Sequence, residues 1–385
     1  MFVFGTRPEA IKLAPIIRAL RRSPAFVPLV VVTAQHRSML DQVNDFFEIE
    51  PDADLAIMQE GKSLADVTVR ALRGLDPLMT QHRPDAVVVQ GDTTSTFVGA
   101  LAAFYHQIPV VHVEAGLRTF DRHSPFPEEM NRQLTTRLTD LHLAPTLTCR
   151  QNLLDEGIAP QAIVVTGNSV IDALLWAVNK GAPYGDPLLD RLDLDTRPVL
   201  LVTAHRRESW GPPMEGIGRA LGRLAVSEPD LTIVVPMHMD PTVRAALLPP
   251  LRGRGNVLVT EPLPYGGFCR LMNRATIVLT DSGGLQEEAP TLGKPVLVMR
   301  DTTERGEAVA CGTARLVGTD EERVVNSVRS LLHDDFAYRT MANAVNPYGD
   351  GHAADRTVEA LEHFFAGAPA PAVAGEKLSL PMTGS

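Results

Sequence analysis

The chain has 385 residues, 44% of them apolar and 21% charged, with a formal net charge of -10. That length exceeds what one core usually serves and suits two domains. The acidic balance excludes a general polyanion-binding surface, and with it a nucleic-acid partner, so any phosphate site must be a local concentration of Arg and Lys.

Met1 opens directly onto an apolar run at residues 2–4 and then Gly5-Thr6-Arg7-Pro8-Glu9, so no signal peptide is expected. Buried parallel strands are predicted at residues 2–4, 29–33, 86–90, 110–113, 141–144 and 163–166. Helical patterns cover 8–22, 63–79, 94–106 and 128–138. The series breaks near 167–198, where Gly181, Pro183, Gly185 and Pro187 fall. A second series of strands is predicted at 199–203, 231–235, 257–259, 276–279, 296–299 and 314–317. The last helical pattern, about 354–365, is expected to pack back on the first domain, and the Ala-, Pro-, Gly- and Ser-rich residues 366–385 to have little fixed structure. The domains are therefore expected at 1–167 and 168–353. Such alternation implies an α/β fold of two Rossmann-like, doubly wound domains, with the active site in the cleft between them. No apolar run reaches the roughly 18 residues needed to cross a bilayer, so no membrane partner is expected. Cys149, Cys269 and Cys311 stand far apart with no C-x-x-C pair, which fits reduced thiols in a cytoplasmic protein.

Polar or glycine-rich stretches begin where the apolar runs stop, the position at which open α/β sheets bind ligands. Thr6 suits an N-cap and Pro8 the first helical position, which leaves Arg7 and Lys12 at the positive end of the helix dipole. Cations there weaken a helix, and contact with an anion accounts for them better than solvation does. Asp281-Ser282-Gly283-Gly284 sits between a strand and a helix, where glycines admit a phosphate to free N–H groups. Glu287 and Glu288 could accept bonds from ribose hydroxyls, and Arg300 and Arg305 add the charge a diphosphate requires. Gly216-x-Gly218-x-x-x-Gly222 lies inside a helical pattern with the wrong spacing for a dinucleotide fingerprint, and no P-loop is present, so no nicotinamide or ATP cofactor is expected.

Asp92, Glu114 and Glu128 are the candidate acids and bases. Carboxylates sharing a partly dehydrated pocket repel, which supplies a general acid beside a general base. The bland alternatives are an N-cap for Asp92 and an i+4 pair with Arg132 for Glu128. Glu114, closing an apolar strand before Ala115-Gly116, caps nothing obvious. His205 and His238 also close strands and could shuttle protons or stabilise a diphosphate. The histidines are scattered, with no zinc-ligand spacing, and no metal is expected.

Taken in order, Gly5-Thr6-Arg7-Pro8-Glu9-Ala10-Ile11-Lys12, Gly91-Asp92-Thr93-Thr94, His112-Val113-Glu114-Ala115-Gly116-Leu117-Arg118, Pro125-Phe126-Pro127-Glu128-Glu129-x-Asn131-Arg132, Thr203-Ala204-His205-Arg206-Arg207-Glu208, Thr280-Asp281-Ser282-Gly283-Gly284-x-Gln286-Glu287-Glu288, Arg300-Asp301-Thr302-Thr303-Glu304-Arg305 and Asn346-Pro347-Tyr348-Gly349-Asp350-Gly351 resemble the non-hydrolysing UDP-N-acetylglucosamine 2-epimerases. The resemblance implies a glycosyltransferase-B-like architecture, a homodimer, no cofactor, and interconversion of UDP-GlcNAc and UDP-ManNAc through elimination of UDP to 2-acetamidoglucal and its re-addition. Carried over by motif, Arg7, His205, Phe268, Ser282, Gly283, Gly284, Glu288 and Arg305 hold UDP. Lys12, Asp92, Glu114, Glu128 and Arg132 surround the sugar, with base and acid unassigned among the three carboxylates.

The chain departs from the family at Pro236-Met237-His238-Met239-Asp240-Pro241, at Gly306 in place of a usual proline, and at Ser38, where some regulated relatives carry glutamine. Bacterial members often bind a second UDP-GlcNAc as activator, to which Gln35 and Arg70 could contribute here. The competing readings are a hydrolysing epimerase that releases UDP and ManNAc, a glycosyltransferase of the same architecture, and a catalytically silent nucleotide-sugar sensor.

Overall fold

Short runs of Val, Ile and Leu bounded by polar turns form the strands, and each following amphipathic stretch winds back over the sheet as a helix. The computed structural model describes residues 1–33, 37–57, 63–192 and 194–367. The chain divides into one unit of Met1–Ala173 with the described residues from Tyr348 onward, and a second of Leu174–Pro347.

The first unit contains β1 (Phe2–Phe4), β2 (Val30–Val32), β3 (Ala53–Asp54), β4 (Val87–Gln90), β5 (Val110–Val113), β6 (Leu141–Ala144) and β7 (Ile163–Val165). They pair in parallel in the order β3-β2-β1-β4-β5-β6-β7. From β1 the chain moves outward to β2 and β3, then returns to the other flank of β1 with β4. The loops after β1 and β4 therefore diverge and leave a crevice at the carboxyl edge. Val3, Val31, Val87, Val89 and Val98 form part of the core beneath it. The closing helix, Ala353–Ala366, packs on the helix Arg7–Arg22, and the Asp172 carboxylate accepts from the N–H groups of Ala353 (3.2 Å) and Ala354 (2.8 Å) at its start.

The second unit repeats the plan with β8 (Val199–Thr203), β9 (Thr232–Pro236), β10 (Val257–Thr260), β11 (Ile277–Thr280), β12 (Val296–Val298) and β13 (Ala314–Leu316). The order is β10-β9-β8-β11-β12-β13, again all parallel, so its crevice opens between β8 and β11. Leu200, Ile233 and Leu279 pack against Ile217, Leu221 and Val324 from the covering helices. The glycines of the helix Pro212–Ser227 serve packing. A Cβ on Gly218 would lie 2.8 Å from the Ala246 carbonyl oxygen, so their absence of side chains lets this helix meet Pro241–Leu251 closely.

The sequence expectation omitted β3, which has only two residues after Pro51-Asp52 and no apolar run to announce it. Other strand ends shift by a residue. Arg7 takes the first helical position and Pro8 the second, and the helix expected after Gly284 begins at Gly283 and tightens into a 3₁₀ turn over Ala289–Leu292.

Candidate active site

At the first crevice the Glu9 carboxylate, 1% exposed, accepts from the backbone N–H groups of Gly5 (3.0 Å) and Thr6 (2.8 Å) and from the hydroxyls of Thr93 (2.7 Å) and Thr96 (3.0 Å). It ties the loop after β1 to the loop after β4. Burial pushes its carboxyl above the usual range, and these bonds oppose that rise. Arg7, whose side chain has no hydrogen-bond or ion-pair partner among the described residues, and Lys12 stand on the helix that follows.

Glu114 directly follows β5 with a φ of 65°, a left-handed conformation that few non-glycine residues adopt. The next turn requires glycine: Gly116 has φ 93°, and a Cβ there would stand 2.2 Å from the Cys149 carbonyl oxygen. The strained backbone delivers the Glu114 carboxylate to Lys12, whose Nζ donates to Oε1 at 2.6 Å, and to the Gln90 amide. The neighbouring strand β4 leads to Asp92, which accepts from Arg132 Nε at 2.9 Å, while its carbonyl accepts from the Asn131 amide, also at 2.9 Å. Arg132 in turn rests on the fully buried Glu129 (3.1 Å), which also accepts from Thr119 N–H and Gln133. Burial works against charge on Glu129, but bonds from Gln133, Thr119 and Arg132 outweigh it and hold its carboxyl below the ordinary range. His112, buried on β5 with Nε2 2.7 Å from the Gly91 carbonyl oxygen, is pushed down to about 3 by burial.

At the second crevice Asp281, 0% exposed, follows β11 and faces the end of β8. Its Oδ2 accepts from the backbone N–H groups of His205 (2.6 Å) and Arg206 (2.8 Å), and its Oδ1 lies 2.9 Å from His205 Nδ1. Burial disfavours the Asp281 charge, yet His205 and these N–H groups outweigh it and keep the carboxylate below its ordinary range. The His205 ring stacks on His238 with centroids 5.7 Å apart. Ser282 occupies the N-cap position without a side-chain capping bond and Gly283 lies under the Arg305 guanidinium, with Phe268 and Glu288 half-buried. A cavity of about 300 Å³ opens beyond β8 and β12 among Glu208, Ser209, Arg300, Asp301, Thr302 and Thr319.

The structure places Asp92, Glu114, Lys12 and Arg132 together; the N-cap alternative for Asp92 does not hold, and of the alternative for Glu128 the first-turn position holds but the pair with Arg132 does not. Thr93, not Asp92, caps the helix Thr94–Tyr105, and Arg132 binds Asp92 and Glu129 rather than Glu128. Glu128 opens the helix Glu128–Leu138, and its side chain has no hydrogen-bond or ion-pair partner among the described residues. Two expected ligand contacts, Glu287 to ribose and Arg300 to the diphosphate, are taken up by protein partners instead. Glu287 is buried and accepts from Arg305 Nε at 2.7 Å, and Arg300 is gripped by Glu208 (2.9 Å) and Glu304 (2.7 Å). Arg70 donates to the Ile57 carbonyl at 3.5 Å, while Gln35 and the Ser38 side chain lie outside the described residues. The roles of Glu9, Gln90 and Glu129 went unread. For Glu9 the signal was present in the Thr6-x-x-Glu9 spacing of a capping box. Gln90 sits in an apolar strand and Glu129 in a first turn, and neither pattern points to its partner.

Residues 18–362 match the family model described as UDP-N-acetylglucosamine 2-epimerase. The chain belongs to that family. A relative named UDP-N-acetylglucosamine 2-epimerase from Escherichia coli K12 is 54% identical over 368 residues, covering 94% of this chain and 97% of the relative. One of the same name from Bacillus subtilis strain 168 is 52% identical over 361 residues, 94% of each chain. The crystal structure of UDP-GlcNAc 2-epimerase from Neisseria meningitidis bound to UDP-GlcNAc superposes with a TM-score of 0.85 at 46% identity, over 94% of this chain and 98% of that one.

A 2-epimerase fits the chemistry the two crevices can offer. The first presents paired carboxylates beside cations, suited to moving a proton at carbon. The second presents a histidine, a glycine-rich helix start and arginine, suited to an anionic leaving group. Among the described residues no group of three His, Cys, Asp or Glu could hold a metal, and no helix is long and apolar enough to cross a membrane.

Proposed function

We propose that this chain interconverts UDP-GlcNAc and UDP-ManNAc by reversible elimination and re-addition of UDP. The observation that carries the reading is the acid pair, Asp92 and Glu114, at the ends of adjacent strands and each bound to a cation, in a chain of the epimerase family. The C2 proton of the hexose is not acidified by a neighbouring carbonyl. In the first half-reaction the C1–O bond breaks with its electron pair passing to the β-phosphate oxygen, and a carboxylate takes the C2 proton. The C–H pair becomes the C1=C2 bond of 2-acetamidoglucal. Re-addition protonates C2 from the other face and restores the C1–O bond, so no atom is gained or lost.

Asp92, Glu114 and Glu128 are the proton-transfer candidates. Lys12 and Arg132 orient the first two and offset their charge in the sugar pocket. Arg7, His205, Phe268, Ser282, Gly283, Gly284, Glu288 and Arg305 take the nucleotide, and positive charge around the diphosphate lowers the cost of its departure. We also infer a homodimer, supported by Phe104 and Tyr105, 58% and 64% exposed on one helix end; sedimentation at micromolar concentration tests it, and a monomer there rejects it.

The deciding experiment is incubation with UDP-GlcNAc in deuterated water, read by proton NMR. A UDP-linked manno product carrying deuterium at C2 is expected. Free ManNAc with UDP would indicate hydrolysis instead, and a product retaining its C2 hydrogen would overturn the elimination route.

A further inference from the structure

We propose that Asp281 is the positioning residue for His205, fixing the ring with its proton on Nδ1 so that Nε2 passes a proton to the departing diphosphate and takes it back; this rests on the epimerase reading above. The geometry is specific. One carboxylate oxygen accepts two consecutive backbone N–H groups, those of His205 and Arg206, at 2.6 and 2.8 Å, and fixes the loop that carries the ring. The other, buried and without a hydrogen-bond donor among the described residues, lies 2.9 Å from His205 Nδ1, the nearest group that could supply one. Asp281 is 0% exposed, whereas the His205 side chain is 40% exposed, so the acid acts through the ring and not on the ligand.

A carboxylate offers only acceptors and demands a donor at Nδ1. Nε2 is then the free acceptor of the neutral ring and the donor of the charged one. In the elimination the imidazolium gives its Nε2 proton to a β-phosphate oxygen as the C1–O bond breaks, the N–H electron pair staying with the ring. On re-addition the proton returns to Nε2. The carboxylate is unchanged throughout. His238 stacks on the ring at 5.7 Å, and the next residue, Arg206, has its guanidinium 3.8 Å from Glu304.

The variant Asp281→Asn separates this role from a structural one. Its amide oxygen can still accept the two backbone N–H groups, but its NH₂ then faces Nδ1 as a donor. The ring must turn its proton to Nε2 and cannot become an imidazolium without opposing two N–H groups. That neutral Nε2–H can still bond a phosphate while being unable to release its proton.

Long-range ¹⁵N–¹H NMR of the full-length protein, at a pH where the ring is neutral, should place the His205 proton on Nδ1 in the wild type and on Nε2 in Asp281→Asn. The variant's kcat should fall on the order of 10²-fold or more, with the Kd for UDP, by calorimetry, changed by less than about threefold. A wild-type ring protonated on Nε2 alone overturns the proposal, and this measurement decides it even if the variant does not fold. So does a variant with kcat within about threefold of wild type, or one that loses UDP affinity in proportion to rate. The tautomer arm needs no substrate, so a wild type that fails to convert UDP-GlcNAc rejects the epimerase reading and leaves this arm standing.

Discussion

The two crevices use one clamp and put it to different ends. In each, a buried carboxylate accepts two consecutive backbone N–H groups of the loop after the central strand: Glu9 takes Gly5 and Thr6, and Asp281 takes His205 and Arg206. The remaining oxygen makes the difference. In Glu9 it meets the hydroxyls of Thr93 and Thr96, neutral groups that cannot offset burial, and the carboxyl is pushed up. In Asp281 it meets a titratable ring, and the carboxyl is held down. A buried acid thus becomes scaffold or proton-linked partner according to what its second oxygen faces.

The largest losses are expected at the acids of the first crevice. Asp92→Asn and Glu114→Gln should each lower epimerisation by about 10²–10⁴-fold and abolish C2 deuteration while UDP affinity stays within a few-fold. Retained deuteration in either variant would remove that residue from proton transfer.

Next in size is the scaffold clamp. Glu9→Ala leaves buried N–H groups of the β1 loop without an acceptor, and urea unfolding should show a loss of about 2–4 kcal/mol. Asp281→Asn, which keeps its acceptor, should lose about 1 kcal/mol or less. Equal losses would deny the division of roles drawn here.

His112 extends the contrast to pH. Its pKa is about 3 when folded against 6.5 for the free side chain, so between those values the unfolded chain binds the extra proton. Its contribution is present above pH 6.5 and is lost as pH falls toward 3, with a slope of up to about 1.4 kcal/mol per pH unit. His112→Asn should flatten that acid limb in denaturant titrations across pH; an unchanged limb would place the acid sensitivity elsewhere.

The smallest effect is at Arg7. Arg7→Ala should weaken UDP binding about tenfold and leave Tm within about 1 °C, because the guanidinium has no partner among the described residues to lose. Unchanged affinity in calorimetry would return Arg7 to the solvated surface.

Much of this protein was legible as sequence. The strands announce themselves because a buried parallel strand must be apolar on both faces, and the polar ends of β4, β5, β8 and β11 mark the crevices because ligands bind where those runs stop. The ordered motifs, from Gly5-Thr6-Arg7-Pro8-Glu9 to Arg300-Asp301-Thr302-Thr303-Glu304-Arg305, carry the family. Pairing was not legible. That Arg132 chooses Asp92 and Glu129 over Glu128, that Arg300 is consumed by Glu208 and Glu304, and that Asp281 holds His205 are long-range contacts across 40, 92 and 76 positions or between neighbours on one loop. Local pattern specifies which residues reach a strand end. Which charges meet there, and so which remain for a ligand, is set only when the sheet order brings distant loops side by side.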